Sequence, residues 1–100
     1  MSLDTITRQL QARLHEFTGF NYSVLFDLGD DGVIAIDGRA NPPTMSHDAD
    51  EADCTIRLSA GDLEKLIDGA LNPMMAYTLG KLKIDGSMGV AMKVASLLEE

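Results

Sequence analysis

The sequence has no tryptophan and a single cysteine, Cys54, among its 100 residues. One thiol excludes an internal disulfide and fits a reducing compartment. Aromatic residues make up 5% of the chain, so apolar burial falls mainly to aliphatic side chains and methionine. Positive charge is scarce: eight Lys and Arg stand against sixteen Asp and Glu, for a net charge of −8. That balance repels phosphate backbones and excludes nucleic acid as an expected partner. It also limits contact with anionic membranes to brief collisions. No apolar run approaches the roughly 18 residues of a membrane span. The opening MSLDTITRQL lacks the basic and apolar regions of a signal peptide, so the expected location is cytoplasmic.

What is present is an ordinary globular composition, 45% hydrophobic and 24% charged, too apolar for disorder. The expectation is one domain spanning residues 1–100, with a radius of gyration of about 13 Å and one modest core.

The chain opens with Leu3, Ile6, Leu10, Leu14 and Phe17 at three- and four-residue steps, which predicts an amphipathic helix ending at Thr18-Gly19. Phe20, Tyr22, Val24, Phe26 and Leu28 then alternate with mostly polar residues, the pattern of a half-buried strand. The turn Gly29 to Gly32 leads into a second strand, VIAID. Between Arg39 and Glu51 lie Pro42-Pro43 and an acidic cluster of Asp48, Asp50 and Glu51. Any strand there is short, around Thr44 to Ser46, and sits at an edge because proline donates no ladder hydrogen bond. Asp53 to Leu58 alternates again, with Cys54, Ile56 and Leu58 inward.

Ser59 followed by Asp62 is a variant of the capping box before a short helix closed by Gly69. Asn72-Pro73 opens another helix, with Asn as N-cap and Pro at the first position, and Gly80 ends it. KLKID is a strand with Leu82 and Ile84 inward, and Gly86 turns the chain into a last helix from Ser87 to Leu98. Antiparallel strands with helices gathered on one face give an α+β class.

Reactive chemistry has no visible seat. Cys54 falls on the inward face of a strand, where cysteine behaves as a small hydrophobe. His47, the nearest base in sequence, belongs to the acidic loop, and His15 lies among charged residues of the first helix. Two separated histidines and one cysteine make no zinc site. Asp27, Asp30 and Asp31 before Gly32 lack the acidic residue a calcium loop needs six positions after its glycine, where Gly38 stands. Gly80-Lys81 lacks the glycine-rich approach and the Ser/Thr of a phosphate loop. No cofactor, no metal and no enzymatic activity are expected.

The segment from Asn72 to Leu98 stands apart. It holds four of the six methionines (Met74, Met75, Met88, Met92) and only four charges, Lys81, Lys83, Asp85 and Lys93. Its last helix is apolar on nearly every side: Met88, Met92 and Ala95 make one stripe, and Val90, Val94 and Leu97 a second, rotated from the first. Such a helix must be covered over most of its circumference. Core filling is the bland account; a partner chain, a membrane or an apolar ligand against flexible methionines are the others.

NPMMAYTLGKLKIDGSMGVAMKVASLL, with ADCTIRLSAGDLEKLIDGALNP upstream, closely resembles the sterol carrier protein type 2 family of lipid-transfer domains. The resemblance runs from Asp53 to Leu98 and rests on several matched positions. They are the Cys54-Thr55-Ile56 strand, Asp62-Leu63, Gly69, Asn72-Pro73, Gly80-Lys81-Leu82-Lys83-Ile84 with Gly86, and the Met-Ala-rich last helix. It implies a five-stranded, mainly antiparallel sheet with helices on one face. It also implies an apolar cavity taking fatty acyl chains, acyl-CoA, sterols or phospholipids. Many eukaryotic members end in a peroxisomal address, whereas this chain ends Leu97-Leu98-Glu99-Glu100, so that route is not implied.

The expected function is a non-enzymatic lipid-binding or lipid-transfer domain. The ligand-lining candidates are Phe26, Ile34, Ile36, Ile56, Leu66, Met74, Met75, Leu79, Met88 and Met92, with Lys83 or Lys93 as the nearest cations for a head group. The alternative is an interaction module, accessory to a lipid-metabolising enzyme, whose exposed Val90, Val94 and Leu97 stripe seals a homodimer or docks on an enzyme.

Overall fold

The computed structural model describes residues 3–48 and 52–98. Asp50 and Glu51 of the acidic cluster, and the closing Glu99-Glu100, lie outside the described residues.

Leu3–Ala12 forms α1 and buries Ile6 and Leu10, as their spacing predicts. The helix is shorter than the periodic pattern: beyond Arg13 the chain tightens into a 3-10 turn, Leu14–Phe17. Phe17 stays buried, edge-on to Phe20 with ring centroids 5.4 Å apart, and Phe20 meets Tyr22 at 5.6 Å. These T-shaped contacts carry the chain from the helix into the sheet.

Ser23–Asp27 (β1) and Val33–Asp37 (β2) pair antiparallel through a tight 3-10 turn, with Val24 opposite Ile36 and Phe26 opposite Ile34. Thr44–Ser46 (β3) adds to the far side of β2 as an edge strand. Cys54–Arg57 (β4) pairs with β1 in parallel, Phe26 beside Ile56. Lys83–Gly86 (β5) closes the other edge antiparallel to β4. The spatial order is β3-β2-β1-β4-β5, a mixed sheet whose one parallel pair requires the long crossover from β2 through β3.

The central place of β1 explains a departure from the half-buried expectation: Val24, Leu25 and Phe26 are all buried. Val24 and Phe26 face the helices, while Leu25 stands on the opposite face between its partners Ala35 and Thr55.

The remaining helices are α2 (Ala60–Asp68), α3 (Pro73–Thr78) and α4 (Met88–Leu98). Each starts on a side-chain cap that satisfies otherwise orphaned amides. Ser59 Oγ accepts from the Asp62 N–H at 3.0 Å, Asn72 Oδ1 from Met74 and Met75 at 2.9 and 3.2 Å, and Ser87 Oγ from Val90 at 3.2 Å. Gly69 closes α2 in the left-handed conformation. Ile6, Leu10, Leu63, Leu66, Val90, Val94 and Leu98 from the helices join Val24, Phe26, Ile34, Ile36, Cys54 and Ile56 from the sheet in one core.

Candidate functional site

α4 reaches its position through Gly86. This residue sits opposite Cys54 with φ 93°, and a Cβ there would stand 2.7 Å from the Asp53 carbonyl oxygen. The same carbonyl accepts from the Ser87 N–H at 3.0 Å, so the turn into α4 is held directly on β4. Asp53 is itself tied to β1: its carboxylate accepts from the Ser23 N–H at 2.8 Å, and its own N–H donates to Ser23 Oγ at 3.0 Å. The far end of α4 is anchored by Arg13, whose guanidinium donates to the carbonyls of Leu97 and Leu98 at 2.8 and 3.5 Å and of Ile67 in α2 at 3.2 Å.

Fixed at both ends, α4 turns Val90, Ala91, Val94 and Leu98 inward. This corrects one expectation. The Val90, Val94, Leu97 stripe is not an open dimerisation surface: Val94 is 0% exposed, Val90 is buried and Leu97 is half-buried against the core. The sheet covers that stripe because α4 packs across β1, β4 and β5. The methionine stripe takes the outer side, with Met88 and Met92 about half-exposed.

Between α4 and the sheet lies a cavity of about 230 Å³. Its floor is Phe26 of β1, Ile56 of β4, and Leu82 and Ile84 at β5. Leu66 of α2 and Pro73, Met74 and Tyr77 of α3 form the side, and Met88, Ala91, Met92, Val94, Ala95 and Leu98 of α4 form the roof. Among the described residues, Tyr77 is the only lining residue with a polar side chain. Burial and orientation there are governed by the hydrophobic effect and dispersion, with no charged side chain among the described lining residues.

Six of the ten expected lining residues meet in this cavity: Phe26, Ile56, Leu66, Met74, Met88 and Met92. Ile34 and Ile36 do not. They are buried on β2, which lies beyond β1 from the strands under α4. Met75 and Leu79 lie outside the lining, 58% and 61% exposed. Sequence reasoning passed over Pro73, Tyr77, Leu82, Ile84, Ala91, Val94, Ala95 and Leu98. A signal existed for some: Leu82 and Ile84 alternate inward, and Met88, Ala91, Met92 and Ala95 form an i, i+3, i+4, i+7 stripe. Neither head-group cation reaches the wall. Lys93 Nζ sits 4.8 Å over the Tyr22 ring, and Lys83 is exposed on β5 opposite Arg57.

Cys54, His15, His47 and Asp27 all lie outside the cavity lining. Burial pushes the Cys54 thiol up to about 11, and the nearby carboxylates of Asp53 and Asp85 add to the shift, so it stays protonated near neutral pH. His47 Nε2 lies 3.0 Å from Thr7 Oγ1, and His15 is exposed. Asp27 Oδ1 accepts from the Gly29 N–H at 2.9 Å, and Arg57 pairs with both Asp27 and Asp85. Among the described residues no group of three or more His, Cys, Asp or Glu is placed to hold a metal ion, and no helix is long and apolar enough to cross a membrane.

Known proteins resemble this chain in sequence and in fold. Rat sterol carrier protein 2 is 41% identical over 70 residues, which cover 69% of this chain and 13% of the rat protein. Human hydroxysteroid dehydrogenase-like protein 2 is 32% identical over 80 residues, covering 76% of this chain and 19% of that one. The chain thus spans less than a fifth of either relative's length. The solution structure of the sterol carrier protein domain 2 of Helicoverpa armigera superposes with a TM-score of 0.77 at 25% identity, covering 95% of this chain and 83% of that one. The model of the SCP-2 sterol transfer family matches residues 3–99. With the match running through every strand and helix that builds the cavity, the chain belongs to the SCP-2 sterol transfer family.

Proposed function

We propose that this chain is a non-enzymatic lipid carrier that holds an apolar tail between α4 and the sheet. The observation that carries the reading is the wall itself: fourteen described lining residues, of which only Tyr77 bears a polar side-chain atom. Apolar space of about 230 Å³ is expensive to maintain. At ~24 cal/mol per Å³ it costs about 5–6 kcal/mol if the wall stays rigid, against a typical total stability of ~5–15 kcal/mol. An apolar guest offsets that cost. Ten buried methylenes supply about 8 kcal/mol before the losses of association, which fits micromolar affinity and ready release.

The cargo is a fatty acyl chain in preference to a bulkier lipid. The volume falls below the ~300–1,000 Å³ of usual ligand sites, and a slender tail asks least of the wall. Where a wider guest enters, Met74, Met88 and Met92 are the side chains that yield, being unbranched and half-exposed. Because no cation lines the cavity among the described residues, the head group stays at the mouth and contributes little to affinity.

The test is titration of delipidated protein with a fluorescent fatty acid, followed by native mass spectrometry of the complex. Saturable uptake of one molecule with micromolar affinity is expected. Folded protein that shows no saturable uptake of fatty acid, sterol or phospholipid would overturn the reading.

A further inference from the structure

Most of the cavity wall is pinned to the rest of the molecule. Its floor lies in strands joined by ladder hydrogen bonds. α4 is held at its start by the Ser87 N–H on the Asp53 carbonyl and at its end by Arg13. α2 is held by Arg13 on the Ile67 carbonyl and by packing against α1.

α3 is held differently. The Ala76 and Leu79 N–H groups donate to the Asn72 and Met75 carbonyls, each at 2.9 Å, and the Lys81 N–H donates to the Ala76 carbonyl at 2.9 Å. Thr78 Oγ1 donates to the Met74 carbonyl at 3.0 Å. With the Asn72 cap, every hydrogen bond of residues 72–81 among the described residues runs within that segment. Pro73 and Ala76 are buried, and the other eight residues of the segment are exposed. On either side the chain is fastened again: the Leu71 N–H donates to the Lys65 carbonyl at 3.2 Å, and Leu82 is buried. A self-bonded helix strung between two fixed points is a body on hinges.

The two movable candidates differ in what opening costs. Displacing α4 breaks the Arg13 and Ser87 bonds and uncovers Val90, Ala91, Val94 and Leu98. Displacing α3 breaks no hydrogen bond to another element among the described residues and uncovers only Pro73 and Ala76. Local opening takes the path with the fewest buried apolar contacts. α3 also supplies Pro73, Met74 and Tyr77 to the wall, so its displacement opens the cavity from the side.

We propose that residues 72–81 swing as one rigid lid, hinged at Leu71 and Leu82, to admit and release cargo while α4 stays in place. The lid rests on the carrier reading for its purpose, but its motion does not. Closure over the cavity shields an apolar tail from water, and opening leaves the sheet and the other helices intact.

The experiment places nitroxide spin labels on the full chain and measures distances by double electron–electron resonance. One pair, Met75→Cys with Ser96→Cys, spans α3 and α4. The control pair, Gln11→Cys with Ser96→Cys, spans α1 and α4. All three positions are exposed and off the cavity, and Cys54, at 0% exposed, stays unlabelled. Without lipid, the α3–α4 distribution is expected to be broader than the control by about 2 Å or more. Oleate is expected to narrow it and to leave the control unchanged. The lipid-free comparison needs no bound cargo, so failure of the carrier reading leaves it intact. An α3–α4 distribution as narrow as the control would overturn the proposal. So would oleate that binds without narrowing the α3–α4 pair, or that shifts the control pair and so makes α4 the moving wall.

Discussion

The guanidinium of Arg13 donates to the backbone carbonyl of Leu97 at 2.8 Å, joining the end of the first helical segment to the last turn of α4. The same group reaches Leu98 and the Ile67 carbonyl at the end of α2. A cation at two helix C-termini satisfies carbonyls that have no intrahelical donor and opposes the negative ends of both dipoles. Arg13→Met keeps the aliphatic stem and removes these bonds. We expect a loss of about 2–4 kcal/mol, since hydrogen bonds to charged groups contribute ~1.5–3 kcal/mol and the abandoned carbonyls are partly buried. Urea denaturation measures it, and hydrogen exchange should place the loosened amides in the last turn of α4.

Glu16 makes the same clamp sensitive to acid. Its carboxylate accepts from Arg13 at 3.0 and 3.3 Å, and that hydrogen bond, with the Arg13 charge, holds its pKa below the ordinary value of 4.5. A carboxyl whose folded pKa is depressed binds fewer protons folded than unfolded. Its stabilisation is therefore complete above about 4.5 and is lost as pH falls through the folded value. Unfolding measured in urea between pH 7 and pH 3 should show stability falling through this range. In Glu16→Gln the slope should be shallower and stability at neutral pH lower.

Gly86 and Gly69 both adopt positive φ, at 93° and 79°, but only one of them is crowded. A Cβ on Gly69 meets nothing within 4 Å, whereas one on Gly86 collides with the Asp53 carbonyl at 2.7 Å. Gly69→Ala should cost about 1–2 kcal/mol, the price of the left-handed conformation alone. Gly86→Ala adds displacement of β4 backbone and should cost clearly more, at least ~3 kcal/mol. Because Gly86 also sets the start of α4, this variant should bind fatty acid more weakly even where it remains folded. Equal destabilisation of the two variants would show that the close approach does not matter.

What the sequence made legible were the local devices. Ser59, Asn72, Pro73 and Gly69 act through bonds to their own neighbours, so their chemistry announces itself over four residues. The inward sides of β1, β4 and β5 were equally plain from period-two alternation, and the edge position of β3 from Pro42-Pro43. Lateral position was not legible. Ile34 and Ile36 alternate as cleanly as Phe26 and Ile56, yet the strand order places β2 away from α4, and no pattern within a strand encodes its neighbours. The rotation of α4 was ambiguous for the related reason that both of its stripes are apolar. The branched one packs against the sheet and the methionine one meets the mouth. The parallel pairing of β1 with β4 and the grip of Arg13 on Leu97 join residues 30 to 84 positions apart, beyond the reach of any local signal.

The cavity and the rest of the core can be separated by substitution, which gives the sharpest check on the site. Ala95 lines the roof of the cavity and is only partly buried, so Phe at this position has open apolar space to enter. Ala95→Phe should leave stability within about 1 kcal/mol of wild type, because filling space offsets what strain it introduces. Fatty acid affinity should fall about tenfold or more, since a phenyl ring displaces several methylenes' worth of burial at ~0.8 kcal/mol each. Ile36→Val is the counterpart. It removes one methylene from a fully buried position off the cavity and should cost ~0.5–1.5 kcal/mol of stability with no change in affinity per folded molecule. Paired urea denaturation and fluorescent fatty acid titration read both quantities. The two variants should fall on opposite axes, because β2 supports the sheet while β1, β4, β5 and the helices α2, α3 and α4 make the space.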